Sequence, residues 1–140
     1  MTTALDTNVI VALWDRDPAV STPVQVALDA AGNKGPLVIS APVFAELMAA
    51  PGRTEAFLNT FCKDTGISID FDLGESIWRG AGRAFQAHVA RRKKQRDLGP
   101  RRILADFIIG AHASHRGYTL LTLDEGIYQA AFPSLSLATI

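Results

Sequence analysis

Four carboxylates in this sequence stand where a solvated acid is out of place. Asp6 lies in Ala-Leu-Asp-Thr-Asn-Val-Ile, Glu46 in Val-Phe-Ala-Glu-Leu-Met, Asp106 in Ile-Leu-Ala-Asp-Phe-Ile-Ile and Asp124 in Leu-Leu-Thr-Leu-Asp. An ionised carboxylate in an apolar interior must be paired, protonated or bound to a cation. Singly, each has an ordinary structural explanation. Asp6 can cap a helix starting at Thr7, and Glu46 can be the one solvent-facing residue of its helix. Asp106 can pair with Arg102 one turn earlier, and Asp124 falls within a capping box from Thr122 to Glu125. Together they suggest a cation site. Oxygen-only ligands favour Mg²⁺ or Mn²⁺ over Zn²⁺, and two divalent ions balance four charges. Two such ions can hold the attacking and leaving oxygens of an in-line phosphoryl displacement.

The elements that must position these acids alternate short apolar runs with helical patterns, the signature of an α/β domain with a mainly parallel sheet. Strands are expected at Thr3 to Leu5, Leu37 to Ser40, Ile67 to Phe71, Tyr118 to Thr122 and, at an edge, Leu135 to Ala138. Helices are expected at Thr7 to Trp14, Pro18 to Ala31 with Gly32 as a stop, Pro42 to Ala50, and Arg53 to Asp64 ending at Gly66. A long helix from Leu73 to Lys94 carries Ile77, Ala81, Ala84, Phe85, His88 and Val89 on one stripe. A Gly99-Pro100 break precedes a helix from Ile103 to Arg116 that is apolar nearly all round and therefore central. A short helix covers Glu125 to Ala131.

Topology sends the acids to one place. Asp6 and Asp124 directly follow strands, and Glu46 lies early in the helix after another. In an open parallel sheet the crevice beyond the C-terminal strand ends is the usual ligand site. Asp106 joins them if its helix crosses that crevice, with Gly110 and Ala113 leaving the same face unobstructed.

The segments Leu5-Asp6-Thr7-Asn8, Pro42-Val43-Phe44-Ala45-Glu46-Leu47, Leu104-Ala105-Asp106-Phe107-Ile108-Ile109-Gly110-Ala111 and Leu121-Thr122-Leu123-Asp124 resemble the PIN-domain ribonucleases, and the small size is similar to their VapC-type toxin branch. The resemblance runs across nearly the whole chain. It implies one PIN-like domain over residues 1–140, a five-stranded, mainly parallel sheet flanked by helices. It further implies cleavage of RNA phosphodiester bonds, with Asp6, Glu46, Asp106 and Asp124 holding Mg²⁺ or Mn²⁺. Asn8 and Thr122 would orient carboxylates or metal-bound water. The implied role is a toxin that inhibits translation or growth, acting as a homodimer and restrained by a small antitoxin protein. The chain departs from the family's more polar continuation after the last acid, because Glu125 follows Asp124 at once; it can help with a metal or cap the helix, and the cap is the favoured role.

The chain has 140 residues, with 14 Lys+Arg against 14 Asp+Glu. That length suits one domain with a core that needs no disulfide or structural metal. The zero net charge hides a division. Residues 1–75 hold 10 acids and 4 bases and residues 76–140 hold 4 acids and 10 bases, giving −6 and +6. Seven of the bases are Arg91, Arg92, Lys93, Lys94, Arg96, Arg101 and Arg102. On their own they read as a solvated helix end; beside a metal-binding acid cluster they read as an RNA-phosphate contact. The single cysteine, Cys62, is expected to pack. His112 and His115 are expected to be surface or half-buried, because no third soft ligand is near. Trp14, Trp78, Phe107 and Tyr118 could stack bases, but core packing explains them more simply. The absence of a signal pattern or membrane-length apolar run points to a cytoplasmic protein. Two other functions fit the residues: a PIN-like RNA- or protein-binding module without turnover, and a metal-dependent phosphatase or DNA nuclease on a similar sheet.

Overall fold

A computed structural model describes residues 1–95 and 104–140. Five strands form one sheet in the order β3-β2-β1-β4-β5, and every pairing is parallel. The strands are β1 (Thr3–Leu5), β2 (Leu37–Ser40), β3 (Ser68–Asp70), β4 (Thr119–Leu121) and β5 (Leu137–Ala138). The chain builds outward from β1 through β2 to β3, then returns to the other side of β1 with β4. That reversal makes the gap between the ends of β1 and β4 the topological switch point, where open α/β sheets place ligands. Register fixes the gap. Leu5 pairs with Leu121, so Asp6 and Thr122 leave the sheet side by side.

Seven helices join the strands among the described residues: α1 (Thr7–Leu13), α2 (Pro18–Lys34), α3 (Ala41–Met48), α4 (Glu55–Thr65), α5 (Gly74–Gln95), α6 (Leu104–Arg116) and α7 (Glu125–Ala131). Local chemistry sets most of their ends. The Asp17 side chain accepts from Ala19 N–H with Pro18 in the first turn, and the Thr54 hydroxyl accepts from Phe57 N–H at 3.0 Å. Gly66 ends α4 at φ 73°, a left-handed conformation that favours glycine. Gly32 does not stop α2. A helical glycine costs only about 1 kcal/mol relative to alanine, and α2 runs on to Lys34 with Gly35 as its C-cap. Strand ends also contract relative to the apolar runs: Ile67 and Phe71 lie outside β3, Tyr118 and Thr122 outside β4, and Leu135 outside β5.

The core sits between β1, β2 and β4 and the helices, with Leu5, Val9, Ile10, Ile39, Val43, Leu58, Ile77 and Leu120 almost fully buried. Helix α6 is central, as its composition requires. Seven consecutive residues from Phe107 to Ala113 are buried, and Phe107 stacks on Phe85 of α5 with ring centroids 5.1 Å apart. The α5 stripe holds through His88, whose ring centroid lies 5.2 Å from that of Phe107, but Val89 is 51% exposed. His112 is 1% exposed, not half-exposed, and its Nε2 lies 3.0 Å from Asp70 Oδ2. Arg116 donates to the Asp72 carbonyl at 2.8 Å, so the end of α6 is fastened to the segment leaving β3. Cys62 is buried as expected. Of the aromatics weighed for stacking, Phe107 is in the core and Trp14 packs edge-on against Phe57 and Phe61, whereas Trp78 is 52% exposed. Among the described residues no helix is long and apolar enough to cross a membrane.

Candidate carboxylate site at the strand ends

The switch point is built on Asp6. Leaving β1 with extended backbone (φ −75°, ψ 154°), it caps α1, its Oδ1 accepting from Thr7 N–H at 2.8 Å. Its Oδ2 accepts two hydroxyls, from Thr122 at 2.8 Å and from Tyr128 at 3.0 Å. The cap and the site are therefore one carboxylate doing both jobs. Asp6 is only 5% exposed. Burial pushes its pKa above the ordinary value; the bonds from Thr122, Tyr128 and Thr7 pull it back down, and the charge of Asp124 adds to the rise.

The other acids relate to this point in different ways. Tyr128 is buried, and its hydroxyl is held far above the ordinary phenol range by burial first, then by the charges of Asp6 and Asp106, the hydrogen bond to Asp6 and the charge of Asp124. It therefore stays protonated and remains a donor. Of the acids that act on this phenol, Asp6 touches it directly. Glu46, on α3, is tied in separately: the Thr7 hydroxyl donates to its Oε1 at 2.6 Å. Thr7 thus links the residue after Asp6 to the acid of another helix.

Thr122 carries a second bond, accepting from Asp124 N–H at 3.0 Å. This replaces the expected capping box. Asp124 is the N-cap of α7 without a side-chain cap bond, and Glu125 is the exposed first residue of that helix. Asn8 touches no carboxylate through its oxygen; Oδ1 accepts from Leu123 N–H at 3.2 Å and pins the β4–α7 turn to α1. Gly110 does not keep the Asp106 face clear. A Cβ there would run into the ring of Phe132, the C-cap of α7, so the missing side chain lets α6 and α7 close on one another.

Sequence reasoning did not find the parts played by Tyr128 and Thr7. A buried tyrosine needs a partner for its hydroxyl, and Tyr128 follows Asp124 by one helical turn, which is the signal that points to it. Among the described residues no three His, Cys, Asp or Glu side chains stand close enough to hold one ion by themselves. The donor set nevertheless fits a hard cation. Mg²⁺ keeps several waters and takes only one or two carboxylates directly. Asp6 fills three of its roughly four acceptor positions with hydrogen bonds, leaving one. Of the basic residues, Arg91 and Arg92 are half-buried and Lys93 and Lys94 exposed near the end of α5, while Arg96, Arg101 and Arg102 lie outside the described residues.

A family model for the PIN domain matches residues 3–133. The chain belongs to the PIN-domain family. No curated protein matches the sequence. Solved structures similar to this PIN domain include VapBC-1 from nontypeable Haemophilus influenzae (20% identity, 99% of this chain and 98% of that chain, TM-score 0.67). They also include VapBC2 from Rickettsia felis, bound to a DNA fragment from its promoter (19% identity, 99% and 98%, TM-score 0.65). A third is FitAcB from Neisseria gonorrhoeae (23% identity, 96% and 95%, TM-score 0.64). At these identities the likeness is one of fold.

Proposed function

We propose that this PIN domain is a Mg²⁺- or Mn²⁺-dependent endoribonuclease and the toxin of a toxin–antitoxin pair. The observation that carries the reading is the three-donor clasp on buried Asp6 at the switch point. Asp6, Asp106, Asp124 and Glu46 are the residues that would hold divalent ions. When bound, such ions lower the pKa of water and neutralise charge developing on phosphate oxygens.

The chain's own residues supply position. Thr122, Tyr128 and the Thr7 N–H hold the Asp6 carboxylate in one orientation and favour its ionised form. Thr7 sets the Glu46 rotamer. Asn8 and Thr122 hold the backbone on either side of Leu123 and so aim Asp124. The arginines and lysines from Arg91 onward, with Arg96, Arg101 and Arg102, contribute affinity for RNA phosphates through counterion release.

The toxin role is supported by the VapBC complexes among the structural neighbours. A small antitoxin that presents an arginine to the acids could pair with them bidentately and compete with the metal. A homodimer belongs to the same reading. The test is total RNA incubated with the purified protein and Mg²⁺ or Mn²⁺, with EDTA and Asp106→Asn controls, followed by mapping of new 5′ ends. Discrete ends are expected only with the intact site and metal. The same ends with folded Asp106→Asn protein would refute the assignment.

A further inference from the structure

A second polar feature lies away from the acids. Between α5, the C-terminal half of α6 and the end of α7 is a surface cleft of about 420 Å³. Exposed Arg83, His115, Ser76 and Ser114 line it above a floor that includes Gly80 and Ala111. The Arg83 guanidinium folds over that floor, with Nη2 3.8 Å from where a Cβ on Gly80 would stand. Among the described residues no acid lines the cleft, and none of these four side chains makes a hydrogen bond or ion pair. Four side chains able to donate, one of them a fixed cation, therefore face one space without a carboxylate among the described residues. Phosphate oxygens suit that set: guanidinium binds them through two parallel bonds, while the hydroxyls and an imidazole N–H take the rest.

Helix α6 measures the distance to the acids. Asp106 is in its first turn, and the lining residues Ala111, Ser114 and His115 follow five, eight and nine residues later, about 8 to 14 Å along the axis at about 1.5 Å per residue. A phosphate in the cleft is thus a different one from any held by the carboxylates. We propose that the α5–α6–α7 cleft binds a backbone phosphate of the single-stranded RNA substrate at a position removed from the bond that is cut. This rests on the nuclease reading above.

The test uses the full chain in EDTA, where RNA binds without being cut. Anisotropy of a labelled single-stranded RNA is followed over a salt series, and the His115 ring resonances are followed by NMR. Arg83→Gln is expected to weaken binding about three- to tenfold and to reduce the slope of log K against log salt by about one phosphate's worth. Arg83→Lys should restore the slope but not the full affinity, since it keeps the charge and loses the fork. With metal added, Arg83→Gln should raise KM for RNA and leave kcat and the cut positions unchanged. Wild-type affinity and slope in folded Arg83→Gln protein overturn the proposal.

If the wild-type chain neither binds nor cuts RNA, the nuclease reading fails separately, and inorganic phosphate decides the cleft. A His115 shift on phosphate addition that Arg83→Gln abolishes keeps a phosphate site with another source, and no shift removes it. Shifts caused by a polyglutamate peptide but by neither RNA nor phosphate overturn it in favour of a protein partner.

Discussion

Tyr128 is the residue whose removal tests the Asp6 clasp most cleanly, because phenylalanine keeps the buried ring and deletes only the donor. Loss of a hydrogen bond to a charged group costs about 1.5 to 3 kcal/mol, so Tyr128→Phe should lower the urea midpoint at neutral pH by a corresponding amount. It should also raise the Asp6 pKa further, moving the acid limb of the pH–rate profile upward; an unmoved limb would separate Tyr128 from Asp6 ionisation. Asp6 already titrates above its ordinary 3.8. The folded protein therefore keeps a proton that the unfolded chain has released, and the stability linked to it is full below 3.8 and lost as pH rises through the raised value. His112 runs the other way. Burial lowers its pKa from 6.5, with Arg116 adding to the fall and Asp70 opposing it. Its contribution is intact above 6.5 and drains away as pH falls through the lowered value. Denaturant melts at pH 7.5 and 5.0 should show a smaller acid loss in His112→Gln than in the wild type. Neither the tyrosine nor the histidine could be assigned from the chain alone, because their partners are 122 and 42 residues away.

Elements were more legible than contacts. Strands at Thr3–Leu5 and Leu37–Ser40 and the helix at Glu125–Ala131 coincide with the bounds expected from apolar runs and their flanking residues. Where the reading slipped, a weak local preference met a stronger tertiary demand. Gly32 lies within α2, which continues to Lys34 past a glycine that composition alone treats as a stop. The positions of Asp6, Asp106 and Asp124 could be inferred because each follows a strand or begins a helix, whereas Glu46 lies in the second half of α3. What lies between them could not, because Gly110 reads equally as an open crevice wall and as a seat for another helix's ring. The second is the case, and it can be measured. Gly110→Ala should destabilise by about 1 to 3 kcal/mol through overpacking, and Phe132→Leu should recover part of that loss in a double-mutant cycle of thermal or urea melts. Additive effects in the double mutant would show that α6 and α7 do not meet there.

For the whole molecule, the zero net charge is a sum of opposed regions, and a bound cation changes it where the acids are. Mg²⁺ should raise the melting temperature, because a ligand at about 100 times its Kd adds about 2.7 kcal/mol to stability. The increment should shrink in Asp6→Asn and on acidification, failing at a higher pH than an ordinary aspartate requires. Melts with and without Mg²⁺ at pH 8 and 5.5 check this, and an equal increment in Asp6→Asn would place the ion elsewhere. The β1–β4 pairing has one more consequence, and it concerns time. Asp6 leaves a ribosome well before Thr122 and Tyr128, which are 116 and 122 residues behind it. Chains emerge at about 5 to 20 residues per second, so β1 and β2 can exist for several seconds before β4 arrives to complete the site. The Asp6 clasp is therefore finished only once Tyr128 has emerged, and a chain terminated before Thr122 carries Asp6, Glu46 and Asp106 without the hydroxyls that orient Asp6.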